Sequence, residues 1–327
     1  MSNLLAAVRP GRHGVATERS GWSAIVGALV ACSFLVACEQ PADTAEPAAE
    51  AADPFAGVEI TSTHVAGAIH VLEGRGGNIG LSVGSDGVLM VDDQFAPLAD
   101  RITAAIESLG GALPAYVLNT HYHGDHTGGN PIFGANGVVV AHENVRVRLV
   151  SSGMAPAGLP VVTYDDGIQL HFNGERIDIS HLPNGHTDGD SVVWFRNANV
   201  IHLGDHFFNG RFPYVDVPSG GSVDGLIANL EGVLEMLPAD TRIIPGHGAL
   251  ATVGDLRAYV TVVRESQAMV RDAVAGGTIG DLERDGFGQW EDWGSGFIST
   301  ERWIAIVRES DAVAANAAAE PAAEDAP

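Results

Sequence analysis

Three histidines and an aspartate fall within six positions of this 327-residue chain, in the run Asn119-Thr120-His121-Tyr122-His123-Gly124-Asp125-His126-Thr127-Gly128-Gly129-Asn130. Imidazole nitrogen and carboxylate oxygen, with no sulfur beside them, suit zinc, manganese or iron. A loop leaving a strand end can point His121 and His123 one way and Asp125 and His126 another. That division suits two adjacent cations. A solvated polar loop would give no reason to crowd three histidines where their positive charges repel.

Three later residues add donors of the same kind. His186 lies in the turn Pro183-Asn184-Gly185-His186-Thr187-Asp188-Gly189-Asp190, Asp205 follows the apolar run Val200–Leu203, and His247 sits in Ile244-Pro245-Gly246-His247-Gly248. Each alone would pass for a turn residue. Together they are loop residues at strand ends, where rigid scaffolds present functional groups.

The elements that position them can be read from periodicity and punctuation. Strand-like runs occupy Ile69–Leu72, Asn78–Val83 and Val88–Asp92, separated by glycines and the Ser85-Asp86-Gly87 turn. A helix is predicted from Pro97 to Leu109, stopped by Gly110-Gly111. Strands Ala115–Asn119 and Val138–Ala141 follow, then a helix to about Val150. The second half begins with strands Ile168–Phe172, Arg176–His181, Ser191–Phe195 and Val200–Leu203. Helices Val223–Met236, Thr252–Ala275 and Ser299–Arg308 come later, with strand Arg242–Pro245 between the first two. Two successive strand-then-helix halves predict an α/β protein with four layers, sheets face to face and helices outside.

The chain resembles the metallo-β-lactamase-fold hydrolases over nearly all of Phe55–Ser310. The resemblance rests on the HxHxDH motif at His121, His123, Asp125 and His126, and on the downstream His186, Asp205 and His247 in the family order. It implies the four-layer αββα sandwich and a dinuclear metal site, with Zn2+ as the expected ion and manganese or iron as alternatives. It assigns His121, His123 and His186 to a first metal and Asp125, His126 and His247 to a second. Asp205 bridges both. Asp92 is similar to the family's buried aspartate that steadies the histidine loop from outside the ligand set, and Asp93 is its rival. Asp125 is both a ligand and a candidate to orient the nucleophile.

A hydroxide held between two divalent cations is ionised near neutral pH and can attack a carbonyl carbon, while the metals polarise the carbonyl and stabilise the leaving group. The expected activity is hydrolysis of an ester, thioester, lactone or amide in a small molecule. Two alternatives stay open: a β-lactamase, or a periplasmic metal- or ligand-binding module without turnover. Asp205 stands where many zinc β-lactamases have cysteine, and all seventeen basic residues are arginine, so no lysine can meet a substrate carboxylate. Arg211 is the candidate for that contact. The aromatics of Phe207-Phe208-Asn209-Gly210-Arg211-Phe212-Pro213-Tyr214, and Tyr122, either wall a substrate pocket or pack the loops. His64, His70, His142, His171, His181, His202 and His206 read as structural or surface residues, and Trp290, Trp293 and Trp303 as core for the last helix.

Composition narrows the partners. Forty-one acidic residues against seventeen basic ones give a formal charge of −24. Such a surface repels phosphate backbones, so no nucleic-acid partner is expected. Both cysteines, Cys32 and Cys38, precede the body, which therefore has no disulfide. Residues 1–37 read as a signal peptide: Arg9, Arg12 and Arg19, then the apolar run Ala24–Ala37, too short to span a bilayer comfortably. Leu35-Val36-Ala37-Cys38 is similar to a bacterial lipoprotein cleavage box, so Cys38 is expected to carry lipid and to anchor the protein at a periplasmic membrane face. Residues 38–54 and 311–327, rich in Ala, Pro, Glu and Asp, are expected to be disordered. The hydrolase domain is placed at 55–310.

Overall fold

The computed structural model describes residues 53–319. The expected signal segment, the lipidation site Cys38 and nearly all of the tether lie outside the described residues.

In chain order the strands and helices are β1 (Thr61–Ala66), β2 (Ile69–Glu73), β3 (Ile79–Gly84), β4 (Gly87–Val91), α1 (Ala99–Ser108), β5 (Tyr116–Leu118), α2 (Gly124–Thr127), α3 (Asn130–Phe133), β6 (Val138–His142), α4 (Glu143–Ser151) and β7 (Val162–Tyr164). Then come β8 (Gly167–Phe172), β9 (Glu175–His181), β10 (Ser191–Phe195), β11 (Val200–His202), α5 (Val223–Met236), β12 (Arg242–Ile244), β13 (Ala251–Thr252), α6 (Val253–Gly276), α7 (Ile279–Asp285) and α8 (Thr300–Ala319). One sheet runs β1-β2-β3-β4-β5-β6-β7, and the other β13-β12-β11-β10-β9-β8. The first sheet starts antiparallel and turns parallel from β4 onward.

Alternating side chains build the layers. Along β4, Val88 and Met90 face α1, packing with Ile102 and Ile106. Leu89 and Val91 face inward and meet Val193 and Phe195 of β10 between the sheets. On β10 the other face, Val192 and Trp194, packs under α5, α6 and α8 with Leu226, Val263 and Trp303. Strands buried on both faces read as continuous apolar runs, and the result is the expected αββα sandwich.

Local chemistry sets several ends. Thr252 and Asp255 form a reciprocal capping box that starts α6, and Ser222 caps α5 by accepting from Gly225 N–H. The last helix departs from expectation. Residues 311–319, predicted to be disordered, continue α8, and Asp311 pairs with Arg271 of α6. A helix already nucleated on buried Trp303, Ile304, Ile306 and Val307 propagates cheaply through alanines, the strongest helix formers. β1, β7, β13 and α7 were not foreseen. Four of six residues in β1 are exposed and polar, β13 has two residues, and α7 buries none. Among the described residues no helix is long and apolar enough to cross a membrane.

Candidate metal centre

The motif loop leaves the C-terminal end of β5 and runs into the short α2, so its donors emerge at the strand-end edge of the inter-sheet core. Asp92, just after β4, holds this loop. Its Oδ1 accepts from Thr120 N–H at 2.8 Å, and its Oδ2 from Thr120 Oγ1 and His126 Nδ1, both at 2.7 Å. Asp92 takes a left-handed backbone (φ 61°), a conformation aspartate tolerates better than most residues. Asp93 turns away and accepts from Gly129 N–H. Burial pushes its carboxyl well above the usual range. Of the two side chains, that of Asp92 hydrogen-bonds a motif histidine, His126, whereas Asp93 meets His126 only through its main-chain N–H.

Each motif imidazole has one nitrogen occupied by a neighbour, which determines where the other points. Thr120 Oγ1 gives its proton to Asp92, so at His121 Nδ1, 3.0 Å away, it can only accept. His121 Nε2 is left facing inward, buried and without a hydrogen bond. His186 Nδ1 donates to the Tyr214 carbonyl at 2.7 Å, leaving Nε2 free. His123 Nε2 meets Asp216 Oδ2 at 3.0 Å, and its Nδ1 faces His186 Nε2 at 2.8 Å. Three lone pairs therefore converge on one point, which is a repulsive arrangement unless a cation sits there. That donor set fits a divalent metal ion.

Two groups can hold an ion: His121, His123, His186 and Asp205, and beside them Asp125, His126 and His247. Asp205 reaches both. Its Oδ2 lies 3.8 Å from His121 Nε2 and 3.6 Å from His186 Nε2, while Oδ1 lies 3.1 Å from His126 Nε2 and 3.4 Å from His247 Nε2. Asp125 Oδ2 is 3.3 Å from His247 Nε2. All seven residues singled out in sequence thus meet at one place. Glycine backbone makes the crowding possible: a Cβ on Gly77 would fall 2.0 Å from His126 Cε1, and one on Gly246 2.1 Å from Asp205 Oδ1.

The charges of the two groups differ. Burial depresses His121 well below the usual imidazole range, helped by His126, and takes His186 down to about 4. Burial also acts to lower His126 and His247, but the neighbouring carboxylates Asp205 and Asp125 outweigh it. His126 ends well above its ordinary value, and His247 at about 9. Asp205 in turn is held well below the carboxylate range: burial opposes ionisation, and His126, His247 and His121 overcome it.

A cavity of about 620 Å3 opens onto Asp125, Asp205, His123 and His247. Its other walls are Phe95, Phe208, Tyr214 and Phe297, with Arg75 and Arg211. The aromatic loop after Asp205 therefore divides. Phe208 stacks on His247, with ring centroids 5.1 Å apart, and Tyr214 lines the cavity. Phe207 packs on Tyr259 and Phe212 on Trp303 in the core. Tyr122 points away from the cavity, to Asp216 and Ser219. His206 is packed behind the His186 turn, where burial lowers it to about 3 and its Nε2 meets the Asn229 side chain.

Sequence reasoning missed Asp216, Arg75, Phe95 and Phe297. Asp216 carried one signal, a lone carboxylate in the apolar stretch Phe212–Val217, which must find donors if buried. Phe297, 84% exposed at the cavity rim, carried none.

The family model of the metallo-beta-lactamase superfamily matches residues 72–247, more than half of the chain and all seven donor residues. The chain belongs to the metallo-beta-lactamase superfamily. Among curated relatives, the hydroxyacylglutathione hydrolase of Nitrosococcus oceani is 33% identical over 156 residues, covering 46% of this chain and 55% of that protein. The hydroxyacylglutathione hydrolase GloC of Haemophilus influenzae is 30% identical over 169 residues, 48% of this chain and 78% of that one. The chain spans about half the length of the first of these curated relatives. The DIM-1 metallo-beta-lactamase structure superposes with a TM-score of 0.56 at 17% identity, covering 64% of this chain and 99% of that one. The metallo-beta-lactamase from Pontibacter korlensis gives 0.55 at 14%, over 63% and 99%. At such identities the likeness is one of fold.

Proposed function

We propose that this protein is a dinuclear metallohydrolase that cleaves a thioester, ester, lactone or amide bond of a small molecule. The observation that carries it is Asp205, whose two oxygens divide between the two donor groups at the floor of an open cavity. His121, His123 and His186 would hold the first ion and Asp125, His126 and His247 the second, with Asp205 within reach of both. Zinc is the expected ion, from the nitrogen-rich donor set. Bound divalent ions would supply Lewis-acid chemistry, activating water at neutral pH and polarising a carbonyl.

The chain's own residues do the rest. Asp125, part-exposed at the cavity floor, can orient a water by accepting its proton in a hydrogen bond. Arg211 and Arg75 offer guanidinium groups to an anionic end of the substrate, and Phe95, Phe208 and Phe297 cover its apolar part and exclude water. Among the bond types, relatives named hydroxyacylglutathione hydrolases favour the thioester, as acylglutathiones are thioesters.

The test is a panel of chromogenic thioesters, esters, lactones and nitrocefin on purified protein loaded with zinc, manganese or iron, with elemental analysis beside it. Two ions per chain and metal-dependent thioester turnover are expected. One ion at saturation would defeat the dinuclear reading, nitrocefin turnover alone would make the protein a β-lactamase, and metal binding without any turnover would make it a binding module.

We also propose that Cys38 is lipidated and holds the protein at a periplasmic membrane face; the apolar run ending in Leu35-Val36-Ala37-Cys38 supports this. Cys38→Ser should leave the membrane fraction or stay unprocessed, and an unmodified N-terminus beyond residue 38 by mass spectrometry would rule it out.

A further inference from the structure

The three imidazoles of the first donor group are not held alike. His121 is held through Thr120, its own chain neighbour, and His186 by the Tyr214 main-chain carbonyl, an acceptor no substitution removes. His123 is held by a side chain 93 positions away, Asp216 Oδ2 at 3.0 Å. It also points inward through Nδ1, whereas His121 and His186 do so through Nε2. Its ring is thus turned the other way and lies partly open to the cavity.

Asp216 itself is clamped. Tyr122 Oη donates to Asp216 Oδ2 at 2.6 Å and, having spent its proton, accepts from Ser219 Oγ at 2.9 Å. The Arg148 guanidinium lies over the Tyr122 ring, 5.4 Å from its centroid, and is itself fixed by two 2.7 Å bonds to Asp188. Main-chain bonds close the assembly: Asp216 N–H donates to the His186 carbonyl, and Asp188 N–H to that of Ser219. The motif loop, the His186 turn and the Asp216–Gly221 turn therefore meet at one carboxylate. These donors outweigh burial and hold the Asp216 carboxyl below the usual carboxylate range, so it presents a fixed, ionised acceptor to a ligand imidazole.

We infer that Asp216, braced by Tyr122, is a positioning residue that holds the His123 ring with Nδ1 toward the first ion. This rests on the reading of His123 as a metal ligand. Asp216 acts only through His123, so its loss must weaken the first ion and spare the second.

The test uses the full chain, stripped of metal and titrated with Co2+ against a chromophoric chelator, with His186→Ala and His247→Ala assigning the two binding steps. Asp216→Ala should weaken the first step about 10–100-fold, the range for losing the outer partner of a ligand histidine, with the second step unchanged. Asp216→Asn keeps an acceptor in place and should recover most of the affinity. Tyr122→Phe should cost a few-fold at most. The wild-type protein gives an independent readout. In the metal-free state above pH 8, ring nitrogen and proton spectra should show His123 protonated at Nε2, with a downfield proton protected from exchange. Asp216→Ala should lose that protection.

A His123 ring protonated at Nδ1 in wild type would overturn the inference even if no variant folds. So would unchanged first-step affinity in Asp216→Ala, or equal losses at both steps, which mark a general disruption. If His123→Ala itself leaves both steps intact, the ligand assignment has failed instead, and the inference falls with it.

Discussion

The two donor groups share Asp205 yet are built on opposite electrostatic plans. His121 and His186, each 1% exposed, sit among other imidazoles, and burial keeps them neutral. These two imidazoles offer nitrogen lone pairs near neutral pH. His126 and His247 face two carboxylates, Asp125 and Asp205, which pull protons onto them. Without a cation that group balances its own charge with protons, and His247 and Asp125 reach solvent at 21% and 29% exposure. The number of carboxylates in contact sets the difference, since all seven groups are fully or largely removed from water. His121 and His186 stand ready for an ion, whereas His126 and His247 must exchange protons for one.

The substitution with the largest expected effect removes what the halves share. Asp205→Ala should lower turnover at least about 10²-fold and release metal from both groups, because no other side chain spans them. Asp205→Asn, which keeps the shape without the charge, should show a milder loss. Metal analysis beside kinetics checks this, and full activity with two bound ions would dissolve the comparison.

Next comes the support of the motif loop. Asp92→Ala leaves Thr120 N–H, Thr120 Oγ1 and His126 Nδ1 without their buried partner. It should destabilise the metal-free protein by about 3 kcal/mol or more, measured by urea unfolding. His247→Ala, on the solvent side of the same group, should change stability far less.

The pH dependence of ion binding should separate the halves directly. Below about pH 9 an ion entering the second group must displace the proton on His247, so its apparent affinity should fall as pH is lowered, approaching tenfold per unit for each proton displaced. In the first group burial holds His121 well below the usual imidazole range and His186 at about 4, so neither has a cationic proton to give up at pH 7, and the fall in affinity between pH 8 and 6 should be shallower there than at the second group. Parallel slopes in calorimetric titrations would refute the difference. The smallest effect lies outside both groups. Arg211→Ala should raise KM for an anionic substrate about tenfold, the worth of roughly one charge-assisted hydrogen bond, with kcat and metal content little changed.

Much of this architecture was legible in the residues alone. The HxHxDH run at His121–His126 declares its chemistry by type and spacing. The apolar runs of β4, β10 and α5 carry their periods openly, because burial on one or two faces is a local pattern. His186, Asp205 and His247 were legible as strand-end residues, though only the family resemblance grouped them by ion. The extension of α8 past Ser310 was misread because its composition suits a tether as well as a helix, and the choice turns on whether a buried helix precedes it.

What spacing could not supply was anything that depends on two distant segments closing together. Asp92 and Asp93 are neighbours of the same type, and only the geometry of the turn after β4 brings one to Thr120 and His126 and sends the other to Gly129. Asp216 reaches His123 across 93 positions, and Phe297 and Arg75 meet at one cavity from opposite ends of the chain. The sequence by itself determined which donors exist and that they sit at strand ends, since residue type and local period decide those. The tertiary structure decided which donors stand close enough to share an ion, which nitrogen each imidazole presents and which carboxylate holds it. Those outcomes depend on distances of about 3 Å between segments that only the packed sheets bring together.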